Sequence, residues 1–260
     1  MMKIDMHCHT KEGSIDAKVP IEQYVRKLVE HGFDGMLVTD HNSYNGYRAF
    51  QKIADRIQQE LKKPFVVLKG IEYDTRDGGH VIAVLPDCVN STVLEIKGMT
   101  IAQLEQFVHN LGGIIGAAHP FGTGFFAFMN THFGKKNLDF LHRFDFVESF
   151  NACTRPLSNK KAELMAMIIR KPQTAGSDAH KENIIGRAFT EFNHDIRNND
   201  DLIHAIKNGK LKAAGGQVHE KMLEKGNKLI EELGIIGYWV YNKLGALWNL
   251  PKLKRILKSL

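Results

Sequence analysis

The feature that most constrains this chain is an alternation. Short apolar runs, each followed by a stretch of helical periodicity, repeat from the amino terminus to about residue 180. Residues 3–6, 35–39, 65–71, 80–85, 114–118, 144–149 and 173–175 read as seven strands. Between the first two, Ile21, Tyr24, Val25, Leu28 and Val29 fall on one helical face behind Pro20, which suits a first helical turn. Residues 47–61 and 157–169 carry helical patterns. Thr100 and Gln103 form a capping-box pattern ahead of Ile101, Leu104, Val108 and Leu111, and Gly112 and Gly113 end that helix. Strands alternating with helices imply βαβ units and a mainly parallel sheet, either closed into a barrel or open.

The histidines sharpen this reading. Six of the 13 lie at strand ends or in the turns beside them: His7, His9, His41, His80, His119 and His180. Glu72 ends the third strand and Asp178 follows the seventh. In a parallel α/β fold the carboxyl ends of the strands share one face, so these distant residues converge there. His7 and His9 are two residues apart on an extended segment and point the same way. Imidazoles mixed with carboxylates suit zinc, iron or manganese rather than calcium. The other seven histidines have no such partners; His31 and His109 lie near helix C-termini, where partial positive charge is favourable.

Composition excludes several classes. The chain is 43% hydrophobic and 25% charged, ordinary for a globular protein, and no run approaches the 18 apolar residues of a membrane span. The formal charge of +6 belongs to the tail: residues 205–260 hold eleven basic against four acidic residues, leaving the preceding 204 at −1. A basic isoelectric point therefore does not make the body a nucleic-acid binder, and no stable nucleic-acid complex is expected. The start MMKIDMHCHT lacks a signal-peptide pattern, and the three scattered cysteines form no disulfide framework. The expected location is cytoplasmic.

The motifs Asp5-Met6-His7-Cys8-His9-Thr10, Thr39-Asp40-His41-Asn42, Gly70-Ile71-Glu72, His119-Pro120 and Ser177-Asp178-Ala179-His180 stand in an order that resembles the PHP (polymerase and histidinol phosphatase) superfamily. The resemblance implies a distorted (β/α)7 TIM-like barrel, here with a C-terminal helical extension. It implies phosphoester hydrolysis with two or three divalent metal ions, zinc, manganese or iron. Carried over by motif, His7, His9, Glu72 and Asp178 hold one metal. Glu72 bridges to a second, held by His80 and His119. His41 and His180 hold a third, completed by Asp16, with Glu12 as its competitor.

Closely spaced divalent ions bind phosphate oxygens and lower the pKa of a bridging water, so no serine or cysteine nucleophile is required. Cys8, between two ligands, reads as core. Asp40, beside His41, is a candidate proton acceptor or support for that histidine, and Asp5 has a similar supporting chance. Arg155, just after the sixth strand, is the leading candidate to clamp a phosphate, ahead of Arg187 and Lys11. Glu148 reads as a support for a ligand rather than a ligand. The loop 121–129, with four phenylalanines and two glycines, is read either as an apolar lid or as packing.

The barrel is expected over residues 1–215 and a basic amphipathic extension over 216–260. Leu250, Leu253, Leu257 and Leu260 form a stripe, with Lys252, Lys254, Arg255 and Lys258 largely away from it. That helix packs on the barrel in cis, joins a homo-oligomer, or lies on an anionic membrane. The expected activity is a metal-dependent phosphoesterase acting on a small phosphorylated metabolite or nucleotide. The alternatives are a nuclease on short oligonucleotides and a C–N or C–O bond hydrolase using the same cluster.

Overall fold

The computed structural model describes residues 1–61, 63–90, 92–222 and 228–258. Among them run nine strands: β1 (Met2–Cys8), β2 (Gly35–Val38), β3 (Val66–Asp74), β4 (His80–Val84), β5 (Ile114–Ala117), β6 (Phe146–Asn151), β7 (Gln173–Gly176), β8 (Ala188–Phe192) and β9 (Leu211–Gly216). Eight α-helices accompany them: α1 (Ile21–Glu30), α2 (Asn45–Gln51), α3 (Ala54–Glu60), α4 (Ile101–Asn110), α5 (His132–Lys136), α6 (Pro156–Ile168), α7 (Asn199–Lys207) and α8 (Lys228–Lys258). Thr100 and Gln103 form the expected capping box of α4. The single helix expected over 47–61 is two, because the Ile53 N–H bonds to Phe50 O, three residues back, and breaks the run.

The strands form one curled sheet in the order β7-β6-β5-β4-β3-β2-β1-β8-β9. β1, β2 and β3 are mutually parallel, as are β5, β6 and β7. The mainly parallel expectation fails at β4, which runs against both neighbours. A five-residue turn links β3 to β4, too short for a crossover helix. This reversal puts the first residue of β4 at the same mouth as the last residues of β3, so His80 pairs with Asp74. β8 and β9 were not anticipated; they extend the sheet antiparallel beside β1.

The sheet nearly closes between β1 and β7. The Asp178 N–H donates to His7 O at 2.9 Å, the Ser177 N–H donates to Asp5 Oδ1 at 2.9 Å, and Cys8 bridges Ala179. Gly176 makes this approach feasible, since a Cβ there would fall on the His7 side chain. Ile4, Leu37, Leu68, Ile82, Ile114, Phe146 and Phe192 come from seven strands into one cluster, which fills the barrel. Met6 joins them, but Cys8 packs outside with Tyr24, Val25 and Leu28 of α1. The switch is a register shift on β1 between Asp5 and Cys8, where three steps oppose two on β2. It turns His7 and His9 toward the mouth and leaves Cys8 in the core.

α8 lies against the barrel. Leu253 is buried in the cluster containing Leu94 and Met99, and Lys97 Nζ donates to Asn242 Oδ1 at 2.6 Å. Gly98, at φ +124°, faces the Ala246 backbone. Of the expected stripe, Leu253 is buried and Leu250 half-buried, while Lys252, Lys254 and Arg255 are exposed. Leu260 and the side chains of Leu257, Lys258 and Trp239 lie outside the described residues. No helix among the described residues is long and apolar enough to cross a membrane.

Candidate metal centre

The β1 switch, the β3–β4 turn and the segment after β7 bring the polar strand ends together. Glu72 is fully buried, and its two carboxylate oxygens face five imidazoles. Oε1 lies 3.0 Å from both His80 Nδ1 and His119 Nε2. Oε2 lies 3.1 Å from His41 Nδ1, 3.3 Å from His9 Nε2 and 3.4 Å from His7 Nε2, yet makes no hydrogen bond. A buried carboxylate oxygen surrounded by ring nitrogens without hydrogen-bond geometry is costly unless a cation joins them.

Several ring orientations are fixed from behind. His7 Nδ1 stands 2.9 Å from Glu148 Oε1, His9 Nδ1 3.1 Å from Ser14 Oγ, and His180 Nδ1 3.0 Å from Asp178 O. With Nδ1–H donating outward, each Nε2 faces inward and offers its lone pair to a metal once the proton it carries is displaced. This tautomer is the one a metal requires. Glu148 Oε2 accepts from the His119 N–H and from Asn151 Nδ2, and the same Asn151 amide donates to Asp178 Oδ2 at 3.1 Å. Glu148 is thus the support expected of it, and Asn151 a further one.

Four sets of ligand atoms lie close enough to share an ion: His7, His9 and Asp178; His7, Glu72 and His119; His41, Asp74 and His80; and His9, His41 and His180. Asp16 Oδ2 adjoins the last set, 3.2 Å from His180 Nε2 and 3.8 Å from His41 Nε2. Glu12 is elsewhere: its carboxylate accepts the Ile21 N–H at the start of α1.

Asp74 was missed in the sequence. It is buried, with Oδ1 2.9 Å from His80 Nε2 and 3.4 Å from His41 Nδ1. His80 therefore faces Asp74 as well as Glu72. The available signal was spacing: Glu72 and Asp74 are two apart on a strand, like His7 and His9.

Asp40 is buried, and its oxygens accept from Thr10 N, Thr10 Oγ1, Ser14 Oγ and Gly46 N. Four donors fill the acceptor capacity of a carboxylate, so Asp40 ties the loops after β1 and β2 together. Asp5 is buried too, and burial pushes its carboxyl up to about 6, against lowering bonds from Ser177 and His7. Arg155 is exposed immediately before α6. Arg187 donates to Asn183 O and sits 3.8 Å from Glu220. Phe128 is wholly buried, whereas Phe126 stands 4.9 Å from the His80 ring and Phe125 is exposed, so the loop is part core and part cleft wall.

The electrostatics follow from packing carboxylates against imidazoles. Burial alone would lower His9 and His80, but their carboxylate neighbours outweigh it. The carboxylates of Asp178 and Glu72, 3.2 and 3.3 Å from its Nε2, lift His9 to about 9. The charges of Glu72 and Asp74 lift His80 to about 10. Burial would raise Glu72 and Asp178, but the surrounding histidines hold both carboxyls well below their usual range. Three non-glycine residues here, Asn42, His119 and Asp178, have φ of 49°, 28° and 52°. Such left-handed backbone is costly and clusters at functional sites.

A cup of imidazoles and carboxylates at the carboxyl mouth of an α/β barrel is a donor set suited to a cluster of metal ions. Residues 5–145 match the PHP domain and residues 156–211 the PHP-associated family. The chain belongs to the PHP family. A DNA polymerase III of PolC type from Lacticaseibacillus paracasei is 29% identical over 85 residues, which are 33% of this chain and 6% of that polymerase. The solved structures that it resembles include a protein provisionally described as a metal-dependent phosphoesterase from Bifidobacterium adolescentis. That likeness has 14% identity and TM-score 0.54, covering 77% of this chain and 94% of that one. An amidohydrolase from Chromobacterium violaceum is similar at 12% identity and TM-score 0.54, covering 78% and 96%. The lesion-specific endonuclease EndoQ of Pyrococcus furiosus is similar at 19% and 0.54, covering 83% and 58%. At these identities the likeness is one of fold.

Proposed function

We propose that this chain releases phosphate from a small phosphorylated metabolite or nucleotide, using two or three divalent ions held in the cup. The observation that carries this reading is Glu72, one buried carboxylate facing five imidazoles. The donor set fits zinc, manganese or iron. His7, His9, Glu72 and Asp178 would hold one ion, and Glu72, His80 and His119 a second. His41, His180 and Asp16 would hold a third, with Asp74 as an additional carboxylate beside His41 and His80. Divalent ions there supply Lewis acidity toward phosphoryl oxygens and make water nucleophilic near neutral pH.

The chain's own residues do the rest. Glu148 and Asn151 fix His7 and Asp178. Asp40 holds the two loops that carry His9 and His41 and is a positioning residue. Asp16 and His180 are the most exposed members of the set. Arg155 at the β6 end is the proposed clamp on the phosphate. Without cations the carboxylates of Glu72, Asp74, Asp178 and Asp16 would repel a phosphate dianion, so phosphate binding should depend on metal.

The test is metal content and turnover on one preparation, wild type beside Asp178→Ala. Substrates are p-nitrophenyl phosphate, its bis-ester and a nucleotide panel with added manganese or zinc. Two or more ions per chain and turnover lost in the variant are expected. Metal without phosphoester turnover would shift the reading to amide or lactone hydrolysis, and no bound metal would sink it. Salt-dependent binding of short oligonucleotides would favour a nuclease.

A further inference from the structure

Beside the cup lies a cavity of about 590 Å³. Its inner end is formed by Asp74 and His80, at the edge of the ligand set. One wall is aromatic: Phe126, whose ring is 4.9 Å from that of His80, and Phe133 of α5. α8 lines it too, through Asn242, Lys243 and Ala246. That helix is tied down, because Lys97 donates to Asn242 and Lys243 donates to the Arg76 carbonyl.

The rim is cationic. Arg76 and Lys136 line it, and both are exposed. Neither makes an ion pair among the described residues. Asp77, which also lines the cavity, accepts the Ile101 N–H at the start of α4, so with Lys243 the lining carries three cationic side chains against Asp74 and Asp77. A cavity with an aromatic wall and an excess of cationic over acidic lining residues, two of the cations exposed, suits a ring-bearing body ending in an anion.

We infer that this cavity is the subsite for the organic part of the substrate, and that it selects phosphoesters ending in a second anionic group. The inference rests on the proposed phosphoesterase reading, which puts the reacting phosphate in the cup. Arg76 and Lys136 then determine specificity from the far end, and α8 supplies a wall of the substrate site.

The test compares two non-hydrolysable probes, benzylphosphonate and 4-carboxybenzylphosphonate, by calorimetry on the metal-loaded full chain. The carboxylated probe should bind about tenfold tighter, the size expected of two partly exposed charge pairs. In the Arg76→Ala/Lys136→Ala variant the gap should shrink to about twofold or less, with metal content unchanged. Phe126→Ala should weaken both probes alike. Equal binding by wild type, a gap that survives in the double variant, or no binding of either probe would overturn the subsite. Turnover of phenyl phosphate and 4-carboxyphenyl phosphate is read separately. No phosphate release with the binding gap intact would overturn the hydrolase reading and leave the subsite standing.

Discussion

His7 Nδ1 and Glu148 Oε1 stand 2.9 Å apart, joining the first strand of the barrel to the sixth behind the metal centre. The contact sets the tautomer that turns the His7 Nε2 lone pair inward. Glu148→Gln keeps the shape but not the charge or the reliable acceptor. Metal affinity should fall by about 10–100-fold, the usual scale for a carboxylate supporting a ligand histidine. Competition with a chromophoric chelator measures it, and unchanged affinity would show that Glu148 merely fills space.

Asp74 and Glu12 make opposite predictions. Asp74→Asn should lower the number of ions retained per chain, read by elemental analysis after dialysis, because its Oδ1 faces His41 and His80. Glu12→Gln should retain the full complement. Its cost should instead be about 1 kcal/mol of stability, from the weakened acceptor at the start of α1. The reverse pattern would return Glu12 to the metal centre.

Gly176→Ala tests the seam between β1 and β7. An added Cβ collides with His7, so either strand must shift. A loss of about 1–3 kcal/mol in urea unfolding is expected, the scale of overpacking in a tight interior. Metal retention should fall with it, since the shift displaces a ligand.

The histidine pKa values give a pH prediction. His9 and His80, held up to about 9 and about 10 by their carboxylate neighbours, bind protons more tightly folded than unfolded. In chelator-treated protein their stabilising contribution is complete below about pH 6.5, their unfolded value. It is lost as pH rises through 9 to 10. Metal must displace those protons, so uptake near pH 7 should release protons and apparent affinity should rise with pH. A calorimetric titration in two buffers of different ionisation enthalpy checks this; zero proton release would contradict the protonated cluster.

Where sequence reading succeeded, one physical rule operated: residues following parallel strands share a mouth. By that rule His7, His9, His41, His119, Asp178 and His180 converge, and the structure brings them together at one mouth. The rule placed His80 for an incomplete reason, because His80 begins a reversed strand rather than ending a forward one. The β3–β4 turn that causes this is a local chain reversal, and hydrophobic period says nothing of strand direction. Asp74 went unnoticed because the third strand was ended at residue 71, three residues short. Asp40 looked reactive by adjacency to His41, but only the folded loops reveal that four donors occupy it. β8 and β9 were lost in a stretch whose half-buried alternation, as in AFTEF, is faint.

The seam at β1 and β7 also has a consequence for synthesis. His7 and His9 precede Asp178, and the bonds that hold it against His7, by some 170 residues along the chain. A chain that stops short of Asp178 lacks both that carboxylate and the seam that sets His7 in place. The complete donor set therefore exists only in a chain made through Asp178 and His180. The ions retained after mild chelation report whether a given molecule was translated through to Asp178.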